Sequence, residues 1–390
     1  MPRRLLTLRV YYFAASAAFG AYLPFFPRWL EARGVEGLSM GAVSALVPAM
    51  GVVGPPAFGL LADTLGRRGS LLRVACLGAG LSMGVLAVAA CAGRALSLPV
   101  ICVAVLAYAV FRAPLTMLAD VVALESVRAA GTTYGRVRLW GSVGFLLAVL
   151  AAGRALDPGA PGALPASIAA LLLIAACAAW MLPARAGAAR LPVVREARVL
   201  ISAPAFATFL AVSLLSQVAH SSYDLCFSLH LRDLGATGGA TGVAWALGVV
   251  CEVALMAFAE PLIARFGAPP LVAFALFGAA ARWALLSSVR SLPALFALQP
   301  LHALSFALWW MASIAYIRGR APAHALATAQ GLFAAAVGAG AVTGMLAWGA
   351  IYRRAGGGAV FGGAAVIALV ASVVAGLWAA RVPAVAHDPA

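Results

Sequence analysis

The sequence predicts an all-α integral membrane protein of twelve transmembrane helices in two six-helix repeats, and three observations predict it. The first is composition: of 390 residues, 64% are hydrophobic and 10% are charged, whereas a soluble domain carries about 25% charged residues. The second is run length. Twelve apolar segments each approach the roughly 20 residues that cross the hydrocarbon core as a helix, and spans this uniformly apolar satisfy their backbone groups in lipid only as helices. The third is self-similarity. Displacing one half over the other by 201 residues, without a gap, pairs Tyr22 with Tyr223, Phe26 with Phe227, Leu30 with Leu231, Gly34 with Gly235, Gly41 with Gly242, Ala45 with Ala246, Leu46 with Leu247 and Gly66 with Gly267.

The spans fall at 9–30, 41–63, 71–92, 97–120, 137–156, 164–183, 204–231, 240–264, 268–289, 292–317, 325–352 and 358–381. The first follows Arg3, Arg4 and Arg9 and has no small-residue cleavage site, so it reads as a retained helix rather than a removed signal. The polar stretch 185–203 separates an N-terminal half (1–184) from a C-terminal half (204–384), with a short tail at 385–390. Arginine placement sets orientation: 17 fall in the loops on the side of the N-terminus and 8 in the opposite loops. The positive-inside rule therefore places both termini in the cytoplasm, and the expected location is a bacterial inner membrane. Arg353 and Arg354 run against the rule. The net charge of +15 orients the chain in the bilayer and does not point to nucleic acid. Six cysteines lie singly in apolar runs without metal-ligand spacing, so neither a metal nor a cofactor is expected.

At the end of the second span the chain reads Gly59, Leu60, Leu61, Ala62, Asp63, Thr64, Leu65, Gly66, Arg67, Arg68. This resembles the loop motif between helices 2 and 3 of the major facilitator superfamily, with Thr64 where the family carries a base. The resemblance implies the major facilitator fold, with its ligand near the membrane midplane between parallel repeats. It also implies a cytoplasmic gate built on Gly59, Asp63, Gly66, Arg67 and Arg68. A plain basic loop is the alternative. The run Thr133, Tyr134, Gly135, Arg136, Val137, Arg138, Leu139, Trp140, Gly141, Ser142, Val143, Gly144, Phe145 resembles the start of the fifth helix in the phenylpropionate permease branch, a lactose-permease-like group. Arg136 and Arg138 leave this helix start on different sides. One can latch Asp120 or Glu125 while the other reaches lipid phosphate or the other half, which adds Asp120, Arg136 and Arg138 to the gate.

Three ionisable residues, Glu252, Arg282 and His302, each interrupt a different apolar run. A charge at the centre of a membrane helix costs roughly 2.5 to 3.5 kcal/mol, so such residues face a protein interior or a wet cavity. A rise of 1.5 Å per residue puts all three roughly 10 to 18 Å below one face, where they can meet. They form either a site in a transport path or an ion pair that staples three helices. Helical steps of three and four align Gln217, His220, Ser221, Asp224 and Ser228 on the seventh span, and Gln299, His302, Phe306, Trp309, Ser313 and Tyr316 on the tenth. The first stripe faces a cavity or closes an interhelical seam, and the second packs or offers rings to a ligand. Arg112, deep in the fourth span, is an anion-binding residue or a structural partner, and Tyr22 joins the candidates for substrate contact.

Similar Glu, Arg and His positions occur in lactose-permease-like symporters, so the resemblance implies proton coupling through Glu252, Arg282, His302 or Asp224. Those sugar symporters carry a second glutamate where this chain has Ser305. The expectation is therefore symport of a proton with a small organic anion, such as an aromatic carboxylate, driven by the proton gradient in a monomeric carrier. Arg282, Arg112, Gln217, His220, Tyr22, Gln299, Phe306 and Trp309 are its candidate contacts. In this reading Glu252 pairs directly with Arg282 until the substrate takes the arginine, and the orphaned carboxylate then binds the proton. Nucleoside, sugar or drug transport and a non-transporting receptor are the alternatives. No hydrolase or phosphate-loop motif supports an enzyme.

Overall fold

The computed structural model describes residues 2–92, 96–156, 163–183, 194–322 and 325–382. Among them every regular element is a helix. Most of the polar connection, including Arg185 and Arg190, lies outside the described residues, as do Arg94, Asp157, the tail at 385–390 and the side chain of Asp63.

The chain runs from α1 (Pro2–Glu31) through α2 (Gly37–Leu65), α3 (Arg68–Cys91), α4 (Leu98–Arg112), α5 (Leu115–Ala129), α6 (Tyr134–Leu156) and α7 (Ala163–Trp180). A short helix, α8 (Val194–Ser202), precedes α9 (Pro204–Asp233), α10 (Gly238–Met256), α11 (Ala259–Phe266) and α12 (Ala268–Ser288). Then come α13 (Leu292–Ala297), a π-helical turn at Ala303–Leu308, α14 (Trp309–Arg320) and α15 (Leu326–Arg381). Nine segments among the described residues are long and apolar enough to cross a membrane, with α4 and α5 counted together. Helix α1, the tenth crossing in its three pieces and the second arm of α15 bring the crossings to the expected twelve.

α15 holds two crossings because it folds back on itself. At Gly356 the backbone takes φ 72° and ψ −178°, which no helix accommodates. A Cβ on Gly363 would lie 3.0 Å from the Trp348 ring, although fifteen residues of straight helix would separate them by roughly 22 Å.

Three crossings expected as single helices are broken, each at a proline. Pro114 follows the end of α4, and Pro261 sits in the first turn of α11. Pro300 interrupts the tenth span. Each lacks the N–H that would continue the ladder, and its ring crowds the preceding turn.

The chain forms two compact units, Met1–Arg190 with Ala236–Val243, and Leu191–Gly235 with Ala244–Ala390. Each repeats the pattern read at 201-residue spacing. In the first, Tyr22 stacks on Phe26 with ring centroids 4.4 Å apart; in the second, Tyr223 stacks on Phe227 at 4.4 Å. Gly34 and Gly235 both have positive φ, as do Gly66 and Gly267. In the second unit α15 packs along α9 and α12. Gly340 and Gly344 make this approach close: a Cβ on Gly340 would lie 3.1 Å from Gln217, and one on Gly344 would strike Ser221.

Candidate functional site

The buried charges of the C-terminal half meet inside the second unit. Arg282, on α12, has no exposed surface. Its Nη1 lies 2.9 Å from His302 Nδ1 and donates to Ser305 Oγ at 3.2 Å, while Nη2 donates to Gln299 Oε1 at 3.1 Å. Glu252, on α10, does not touch Arg282 directly. Its Oε1 lies 2.7 Å from His302 Nε2. The direct Glu252–Arg282 pair expected from the sequence is thus replaced by a relay with an imidazole in the middle.

The chemistry of the partners fixes the proton on that ring. A guanidinium only donates, so Nδ1 must present a lone pair to it. The ring proton then sits on Nε2 and is given to the carboxylate. His302 is neutral in this arrangement, and a cation and an anion are held apart by one polarised ring.

The backbone of the tenth crossing explains how three of its residues reach one arginine. Because Pro300 cannot donate, the ladder tightens around it: Gln299 N bonds Phe296 O at 3.0 Å and His302 N bonds Gln299 O at 2.9 Å. That tightening releases the carbonyl of Leu295, and the Gln299 side chain caps it through Nε2 at 2.7 Å. The amide oxygen is left facing Arg282. The wider π turn from Ala303 to Leu308 follows, and His302 and Phe306 stack almost parallel, 6° between planes. Irregular backbone at membrane depth is tolerated where it lines protein or a cavity.

Aromatic rings enclose the relay. Arg282 lies over Tyr223 at 4.4 Å and over Trp283 at 4.6 Å. His220 stacks against His302 at 5.6 Å and lies 5.0 Å from Phe306. Asp224 Oδ1 is 3.8 Å from His220 Nε2, near enough for an ion pair when the ring is charged. Gly248 gives the His302 ring room, since a Cβ there would come within 3.1 Å of it. The Nε of Arg282 is buried with no hydrogen-bond partner among the described residues.

Other candidates lie elsewhere. Gln217 is buried against Gly340. Trp309 packs on Trp310 and Phe333 in the aromatic core that also holds Phe209, Tyr316 and Trp378. Tyr22 and Arg112 belong to the first unit: Tyr22 packs against Tyr108 at 5.0 Å, and Arg112 lies 3.9 Å over Phe19. Among the gate residues, Gly66 caps α2 in the left-handed region and returns its N–H to Ala62 O at 2.9 Å. Gly59 lies within α2, Arg67 precedes α3, and Arg68 opens α3 as a buried residue. Asp120 accepts hydrogen bonds from the hydroxyls of Tyr12 at 2.6 Å and Tyr134 at 2.8 Å. Arg138 lies over the Tyr12 ring at 5.4 Å, and Arg136 is exposed. Asp120, one of the two acids expected to take an arginine, is thus held by two tyrosine hydroxyls, with Arg138 behind one of them.

Two site residues escaped the sequence reading. Tyr223 stood out only as the repeat partner of Tyr22, although it follows His220 by three residues and so shares its face. Ser305 was read as a missing acid and is in fact a ligand of Arg282.

A model of the MFS_1 like family matches residues 5–362. The chain is 30% identical over 332 residues to a maltose permease of Geobacillus stearothermophilus, covering 84% of this chain and 82% of that one. It is 26% identical over 373 residues to a probable 3-phenylpropionic acid transporter of Escherichia coli, covering 92% and 94% of the two chains. Among solved structures, the nucleoside transporter NupG in its D323A form superposes with a TM-score of 0.85 at 16% identity, over 96% of this chain and 99% of that one.

Proposed function

Given that the chain belongs to the MFS_1 like family, and is therefore a multi-pass membrane transporter rather than an enzyme, we propose that it carries a small organic anion, such as an aromatic carboxylate, together with a proton. One observation carries this reading: the buried relay Arg282–His302–Glu252. Its charges sum to zero, one cation and one anion around a neutral ring. A carboxylate entering the site adds an uncompensated negative charge in a medium that tolerates none. One proton restores the balance.

The geometry supplies a route. Arg282 keeps a buried, unpartnered Nε, and a buried donor left unpaired costs about 1 to 3 kcal/mol. A substrate carboxylate satisfies it and competes for the guanidinium edge that now holds His302 and Gln299. Once Nη1 turns to the substrate, His302 loses the donor at Nδ1, and the His302–Glu252 pair accepts the proton. Asp224, beside His220, is the second acid able to hold it. Phe306, His220 and Tyr223 offer ring faces to an aromatic substrate. The proposed setting is a bacterial inner membrane with both termini cytoplasmic and the monomer as the working unit.

A neutral sugar is the second reading, favoured by the 30% identity to a maltose permease. Exchange of radiolabelled 3-phenylpropionate in proteoliposomes, competed in turn by benzoate, maltose and uridine, separates the two. The anion reading predicts inhibition by benzoate alone. Inhibition by maltose with benzoate inert would replace it with the sugar reading, and no phenylpropionate exchange at all would overturn the aromatic-carboxylate reading.

A further inference from the structure

The glycine run at the fold-back of α15, and the arginines near it, take no part in the relay. Gly356 needs to be glycine because its φ is positive; Gly357 and Gly358 do not have positive φ. Space explains them instead. A Cβ on Gly358 would lie 2.9 Å from Arg290 Nη2, and one on Gly357 would strike the His230 ring at Nδ1. Two basic side chains thus press against the start of the helical arm that runs from Gly357 to Arg381. The first N–H groups of a helix are unpaired within it and carry partial positive charge.

These groups border a cavity of about 370 Å³ in the second unit, lined also by Asp233 and Ser287. His230 is 2% exposed, and its Nε2 is buried with no hydrogen-bond partner among the described residues. Arg290 is exposed, and no ion pair engages it among the described residues. The acid of the cavity is already occupied. Arg232 Nη2 donates to Asp233 Oδ1 at 2.6 Å, and the Tyr352 hydroxyl donates to Oδ2. What remains open is a guanidinium, an imidazole and the N–H groups of a helix start, groups able to donate to an anion.

We propose that this cavity is an oxyanion site, in which Arg290, His230 and the N–H groups at the start of the second arm of α15 hold one carboxylate or phosphate group. The site lies at the end of the unit that carries Arg353 and Arg354, the two arginines that break the charge rule. The group arrives either on a soluble anion or as the headgroup phosphate of an anionic lipid. The site is independent of the relay and of the transported substrate.

The test uses the full chain in phosphatidylcholine nanodiscs and reads thermal unfolding against inorganic phosphate, then repeats it with phosphatidylglycerol in the disc. The expected result is stabilisation of the wild type by one of the two probes, which identifies the source. Arg290→Gln and Gly358→Ala each weaken the response about tenfold, and Arg354→Gln, an exposed charge outside the cavity, leaves it unchanged. An equal response in all four proteins would reduce the effect to general surface charge and overturn the site. So would a wild type that responds to neither probe.

Discussion

Glu252→Gln uncouples the carrier: with the membrane potential collapsed, its steady-state accumulation of the carboxylate falls to the external concentration, while exchange of internal for external substrate continues. In the wild type, symport of one proton with one monovalent anion sustains about tenfold accumulation for each unit of pH gradient, since one unit corresponds to about 1.36 kcal/mol. Glutamine keeps the size of the side chain and still accepts the hydrogen bond from His302 Nε2 that Glu252 now receives at 2.7 Å. Only the proton and the charge are lost. Exchange needs no net proton movement, so it survives. Accumulation by the variant that tracks the imposed pH gradient would show that another group, Asp224 first, carries the proton.

The second large effect is on stability as well as transport. Arg282 is the one cation of the relay, fully buried and bonded to Gln299, His302 and Ser305. Arg282→Gln leaves Glu252 charged without compensation, and breaking a buried pair from one side costs about 3 to 5 kcal/mol. The expected result is a marked drop in unfolding temperature and no measurable uptake. Adding Glu252→Gln restores most of the stability, because no charge is then left alone, but restores no uptake. Equal stability of the single and double variants would mean that the two charges do not compensate each other through His302.

The sequence made the crossings and the identity of the relay residues legible for one physical reason. In an apolar run a charge is expensive, so Glu252, Arg282 and His302 are visible wherever the helix ends fall. The order of contacts was not legible. It depends on how the tenth crossing is rotated, and that rotation is set by the tightened backbone at Pro300 and the π turn after His302. A regular helical wheel carries neither. The same limit hid Ser305, whose role is defined by the arginine that comes to it. Trp309 shows the converse case: its spacing matches that of Phe306, but its indole lies in the packed aromatic core. The repeat was legible down to single residues, as the recurring Tyr–Phe stacks and positive-φ glycines show. The fold-back at Gly356 appeared only as a short gap between two apolar runs.

Neutral charge balance in the relay is the central claim, and simultaneous recording of lumenal pH and transmembrane current in proteoliposomes tests it most directly. On addition of an aromatic carboxylate, the account predicts acidification of the lumen with no substrate-linked current, because each anion enters with one proton. A negative current without acidification would mean that the anion crosses alone, and would contradict it.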